Sequence, residues 1–259
     1  MKKLLLALAL ILSCSFTVNA QFGKLNTKHI DAAKKTARAL TVSDAEIAQY
    51  CQEYIDWMDE HNPVCNSTDE GPKRSGFAQR LEKIVAEIPE SERKGLDIKS
   101  YFVVDQNAFA CANGSIRVFA GLMELMTDDE ILGIIGHEIG HIVNKDSKDA
   151  FKKALLTSAL KDAVGSTGGT AAALTDSQLG ELGEALAGAQ FSQKAEYAAD
   201  DYGYELLKKC GKDPQAMASA LRVIQKLQDD ANVDKSKVRQ LFSTHPESGK
   251  RAERLEKKK

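Results

Sequence analysis

The sequence predicts an α+β protein that is mostly helical, and three observations carry that reading. Apolar residues recur at helical spacing through most of the chain, strand signals are confined to residues 97–121, and helix follows helix from Thr127 onward. No internal repeat and no long Pro-rich or polar linker interrupts residues 21–259, which read as a single domain.

The first twenty residues, "MKKLLLALALILSCSFTVNA", stand apart. Lys2 and Lys3 precede an apolar run from Leu4 to Leu12, and Val18-Asn19-Ala20 is a small-residue cleavage pattern. Residues 1–20 are therefore expected to be a signal peptide, and the mature chain to begin near Gln21 as an exported, periplasmic protein. The alternative is a lipoprotein box at Ile11-Leu12-Ser13-Cys14, which makes the product membrane-anchored through a lipidated Cys14. No other stretch reaches the ~18 apolar residues that span a bilayer. Losing Lys2 and Lys3 moves the formal charge from -2 to -4, which gives no reason to expect nucleic acid as a partner. Cys51, Cys65, Cys111 and Cys210 remain. An even number in an exported chain suggests disulfides rather than a metal cluster, with the connectivity open and four buried thiols as the plain alternative.

The elements follow in order. "SDAEIAQYCQEYIDWMDE" (43–60) starts with a capping box, Ser43 with Glu46, and carries Ile47, Tyr50, Cys51, Tyr54, Ile55 and Met58 on one helical face. "HNPVCNSTDEGPKRSG" reads as a loop, and "FAQRLEKIVAEI" returns to helical period. "DIKSYFVVDQ" is a strand by composition, and "NAFACANGSIRVFAG" reads as two short strands joined around Asn113-Gly114. Helices are then expected at 127–144, 146–164, 176–190, 192–210, 214–230 and near 247–257. The stretch "GSTGGTAAALT" at 165–175 suits a hinge or flap.

The helix at 127–144 contains "GHEIGH" (136–141). Thr127 and Glu130 form its capping box. His137 and His141, four residues apart, lie one above the other, so two imidazoles can converge on one ion, while Glu138 points elsewhere yet stays within reach of a water there. Gly133, Gly136 and Gly140 form a stripe with almost no side chain. Each costs about 1 kcal/mol relative to alanine, so another backbone is expected close against them. Two histidines on a helix are also compatible with a plain core, and a catalytic zinc needs a third protein ligand. Glu196 in "QKAEYAADDYGYELL" can be that ligand, and Asp200, one turn on, can bond the far nitrogen of a coordinating histidine.

"GHEIGH", "AEYAADDYGYELL" and "STHPESGKRAERL" together resemble the HtpX-like and CAAX-prenyl-protease-like zinc metallopeptidases, over roughly residues 75–255. The stretch "NAFACANGSIRVFAGLMELMTDDE" resembles the strand, edge strand and short helix that precede the zinc helix in that family. The resemblance implies a zincin-like fold with a hairpin before the zinc helix, and one Zn2+ per chain held by His137, His141 and Glu196. It makes Glu138 the catalytic base that draws a proton from the zinc-bound water, with Asp200 in support. The family's His-Pro motif, with an arginine six positions after the histidine, falls on His245, Pro246 and Arg251. It implies that His245 donates to the oxyanion, or binds zinc in a resting state, and that Arg251 is a second donor. One departure is Ser115, where periplasmic relatives carry a cysteine after the Asn-Gly of the hairpin, so a disulfide pairing does not carry over.

An edge strand at Asn107-Ala108-Phe109-Ala110 can accept an extended peptide as an added strand, giving affinity with little sequence demand. The expected activity is a zinc endopeptidase of the bacterial cell envelope acting on unfolded or misfolded exported proteins. The reading from another class is a non-catalytic, zinc-containing envelope chaperone or assembly factor. Membrane-associated partners stay open, and the sequence does not set the oligomeric state.

Overall fold

The computed structural model describes residues 42–157, 173–230, 234, 236 and 239–258. The expected signal peptide and its cleavage site, and most of the 165–175 hinge, lie outside the described residues. No described helix is long and apolar enough to cross a membrane.

The chain enters on α1 (Asp44–His61), whose capping box forms as expected, with Ser43 accepting from the Glu46 backbone N–H. Helix α2 (Pro72–Ala86) begins five residues before the apolar period does, because Pro72 occupies its first turn and that turn is polar. After one turn, α3 (Glu90–Arg93), the sheet forms from β1 (Asp97–Tyr101), β2 (Ala108–Ala110) and β3 (Ser115–Phe119) in the order β1-β3-β2. β3 pairs parallel with β1 and antiparallel with β2. Gly114 closes the β2–β3 turn at φ 92, and a Cβ there would sit 2.5 Å from the Gly95 carbonyl oxygen. The sheet thus leaves β2 on an outer edge.

Arg117 anchors the middle strand. Its side chain is fully buried and bonds Asp59 Oδ1 at 2.8 Å and Asp97 Oδ2 at 2.8 Å, tying β3 to α1 and to β1. One short turn, α4 (Ala120–Met123), leads into α5 (Asp128–Val143), which carries the histidines and is buried from Glu130 to His141. Then come α6 (Asp146–Thr157), α7 (Asp176–Ala187), α8 (Gln193–Lys209), α9 (Ala216–Asp229), α10 (Arg239–Thr244) and α11 (Ser248–Glu256).

The glycine stripe does what its cost implies. A Cβ on Gly136 would lie 2.8 Å from Gly203 Cα, and one on Gly140 2.9 Å from Ala199 Cα, so α5 and α8 touch backbone to backbone. Apolar side chains from α2, the sheet, α5, α8, α9 and α11 form the main core, and a second cluster joins α1, α6 and α7 around Tyr54 and Phe151. All four described cysteines are thiols. Cys51 and Cys111 are neighbours in the second cluster, whereas Cys65 lies beside Ser100 and Cys210 near Glu87.

Candidate active site

The contact between α5 and α8 sets the site, because it lays Glu196 and Asp200 across from His137 and His141. His137 Nε2 and His141 Nε2 are 3.0 Å apart, and the Glu196 carboxylate reaches them at 3.7 and 3.6 Å. His245, from the turn between α10 and α11, brings Nδ1 to 3.3 Å from His137 Nε2 and 3.0 Å from Glu196 Oε1. Ligand atoms of these four buried residues all lie within 4.8 Å of one another.

That spacing fits a tetrahedral ion. With metal–ligand bonds of about 2.0–2.1 Å, tetrahedral ligand atoms stand about 3.3 Å apart, inside the observed range. Nitrogen and carboxylate donors at such distances suit zinc.

Supporting bonds orient the donors. Asp200 Oδ1 lies 3.0 Å from His137 Nδ1, and Asp146 Oδ2 lies 3.1 Å from His141 Nδ1. Phe191 stacks on the His141 ring with centroids 4.0 Å apart. Arg251 Nε donates to Asp200 Oδ2 at 2.9 Å, and its Nη1 pairs with Glu196. Burial would raise both carboxyls, but the Arg251 charge overcomes it at Asp200, holding that carboxyl down at about 2. Glu196 is likewise held well below the carboxylate range, against burial, by His245, His141 and Arg251. Burial lowers His137, whereas His141 rises despite burial because the carboxylates of Asp146 and Glu196 lie beside it.

A cleft opens beside this cluster. Glu138 and His245 form one side, β2 with Asn107 another, and Tyr54, Phe151 and Phe191 supply an apolar lining. Glu138 is 4% exposed and burial raises its carboxyl, the direction that makes a carboxylate a better base. Asn107 and Ala108 are buried rather than openly exposed, so the edge faces the cleft and not bulk solvent. Both polar atoms of the Asn107 carboxamide lack a hydrogen-bond partner among the described residues.

The structure brings His137, His141, Glu196, Asp200 and His245 together as the sequence suggested. Arg251 lies behind the ligands, where the carboxylates of Asp200 and Glu196 pair with its guanidinium. Sequence reading missed Asp146 and Phe191. No motif contains them, and only the chain reversal after α5 and the approach to α8 bring them to His141.

A profile of peptidase family M48 matches residues 77–259. The chain belongs to peptidase family M48. It is similar to the metalloprotease LoiP of Escherichia coli K12, at 35% identity over 87% of this chain and 85% of that one. It is also similar to the metalloprotease YcaL of the same organism, at 33% identity over 98% of this chain and 95% of the other. A protease HtpX homolog of Salinibacter ruber is 30% identical over 58% of this chain and 63% of its own. Family and geometry together make the protein a metallopeptidase.

Proposed function

We propose that this M48 member is a zinc endopeptidase of the cell envelope that cuts unfolded or misfolded exported polypeptides. The observation that carries the reading is the meeting of His137, His141, Glu196 and His245 donor atoms beside Glu138, at the wall of a cleft bordered by the β2 edge, which pairs only with β3 among the described residues. His137, His141 and Glu196 hold the ion. Zinc bound there supplies Lewis acidity and lowers the pKa of coordinated water towards about 7.

The chain's own groups do the rest. Glu138 takes the proton of the attacking water and passes it to the leaving amine, and its burial makes the carboxylate basic enough for the first step. β2 bonds an extended peptide along its backbone, so recognition depends on chain openness more than on sequence. Asn107, with its carboxamide unpartnered at the cleft, meets a substrate amide. Arg251 keeps Glu196 and Asp200 ionised and in place. Export rests on the leader pattern of residues 1–20.

His245 would serve as a latch on the ion, since its Nδ1 lies within 3.3 Å of both His137 Nε2 and Glu196 Oε1, close enough to supply a fourth donor. A site closed by four protein ligands is also the form a structural zinc takes, and that favours a second reading, a non-catalytic chaperone. One variant separates the two. Glu138→Gln is expected to retain zinc and lose casein cleavage; parent-rate cleavage would sink the enzyme mechanism, and a parent that never cleaves while holding zinc would support the chaperone.

A further inference from the structure

A histidine that binds zinc is turned toward the ion by whatever holds its other nitrogen. For His137 that group is Asp200, on the neighbouring helix. We propose that Asp146 is the positioning residue for His141, fixing the tautomer and, with Phe191, the plane of the ring that offers Nε2 to the metal. This rests on the ligand assignment above.

The hydrogen bond sets the proton. Asp146 Oδ2 lies 3.1 Å from His141 Nδ1, and a carboxylate only accepts, so Nδ1 carries the hydrogen. The lone pair is then left on Nε2, the atom that faces His137 and Glu196. Phe191 stacks flat on the ring at an interplanar angle of 17° and removes the freedom that one hydrogen bond leaves.

The chain is bent to make this contact. Asp146 comes five residues after His141, and on an unbroken helix it would stand about 140° round the axis, facing away. The helix instead stops at Val143, and Lys145 takes a left-handed conformation at φ 67, unfavourable for a residue with a Cβ. α6 then starts at Asp146 with its carboxylate against the His141 ring.

The rival role is that of an acid serving the positive end of a helix. Asp149 occupies the same first turn of α6 and is exposed to solvent. It is the natural control, because it has the dipole without the histidine.

The test is zinc competition with a chelator, joined to nitrogen-15 spectra of the histidine rings in the metal-free protein at alkaline pH, where His141 is neutral. Asp146→Asn, close to isosteric, is expected to weaken zinc binding by about 10- to 100-fold, and Asp149→Asn to leave it unchanged. Asp146→Ala is expected to mix the His141 tautomers, and Asp146→Glu to recover part of the affinity. The proposal is overturned if Asp146→Asn and Asp146→Ala bind zinc as the parent does, or if Asp149→Asn weakens binding equally. His141→Ala checks the ligand assignment separately: if zinc stays at parent affinity, that assignment fails first and the positioning role falls with it.

Discussion

Arg251 on α11 and Asp200 on α8 meet in the interior as a two-pronged pair, Nε donating to one carboxylate oxygen at 2.9 Å and Nη2 to the other. Arg251 is 2% exposed, and its third nitrogen pairs with Glu196. Arg251→Ala would strand two buried carboxylates. The expected loss is about 3–5 kcal/mol of stability, together with weaker zinc binding. Arg251→Lys restores the charge without the fork and should recover only part. Urea unfolding with and without zinc reads both; an unchanged midpoint with loss confined to kcat would return Arg251 to the role of a cleft donor.

Glu196 and Asp200 separate in the same assay. Glu196→Ala leaves His137, His141 and His245 as donors, so it should weaken zinc retention and abolish cleavage. Asp200→Ala removes the partner of His137 and should weaken affinity or rate by about 10- to 100-fold. Full zinc occupancy in Glu196→Ala under a competing chelator would mean that His245 or another group completes the site.

His245→Ala tests the latch. Three ligands remain, so zinc should stay, and cleavage should rise by about tenfold if the latch is held by about 1.4 kcal/mol. A fall of about 100- to 1,000-fold with zinc in place would make His245 a donor to the oxyanion instead.

Acid should loosen the joint between sheet and α1. Burial would raise the Asp59 carboxyl, but hydrogen bonds from Arg117 and Tyr101 hold it below the usual range. A carboxyl lowered in the folded state adds stability above its unfolded pKa of about 3.9 and loses it as pH falls through the folded value. Asp59→Asn should cost about 3 kcal/mol at pH 7, since it takes a partner from a buried guanidinium, and should flatten the acid limb below about pH 4. Urea midpoints from pH 7 to 3 compare the two proteins. An equally steep limb in the variant would place the acid sensitivity elsewhere.

The thiols divide two and two. Cys51 and Cys111 are neighbours in the second cluster, while Cys65 lies beside Ser100 and Cys210 by Glu87. Protein purified under oxidising, non-reducing conditions and then denatured should label at Cys65 and Cys210 only. A Cys51–Cys111 bond closes a loop worth about 4 kcal/mol on the chain-entropy scale, so a reductant should lower the unfolding midpoint. Four labelled cysteines would refute the bond.

The residues that were legible in the sequence are those whose partners lie within a turn of helix. His137 with His141, and Glu196 with Asp200, announce themselves by spacing, and the glycines at 133, 136 and 140 announced a close neighbour without naming it. Residues whose meaning depends on distant chain were hidden. Asp146 looks like any acid at a helix start until Lys145 turns it back. Arg251 reads as a cleft donor from its place after His245, yet α11 packs against α9 and α8 so that it points behind the ligands. The polar first turn of α2 hides its start from the apolar period, and the short helices α3, α4 and α10 carry too few residues to show a period.

The hydrogens on Gly136 and Gly140 also act as a gauge for the metal. A methyl on Gly140 would lie 2.9 Å from Ala199 Cα, where ordinary contact begins at 3.4 Å, so α8 would have to retreat by about half an ångström. Ala199 sits between Glu196 and Asp200 on that helix, so the retreat carries both carboxylates away from the two imidazoles of α5. The span of the coordination sphere is thus measured out by the thickness of two bare backbones, and the smallest side chain in the genetic code is already too thick a shim.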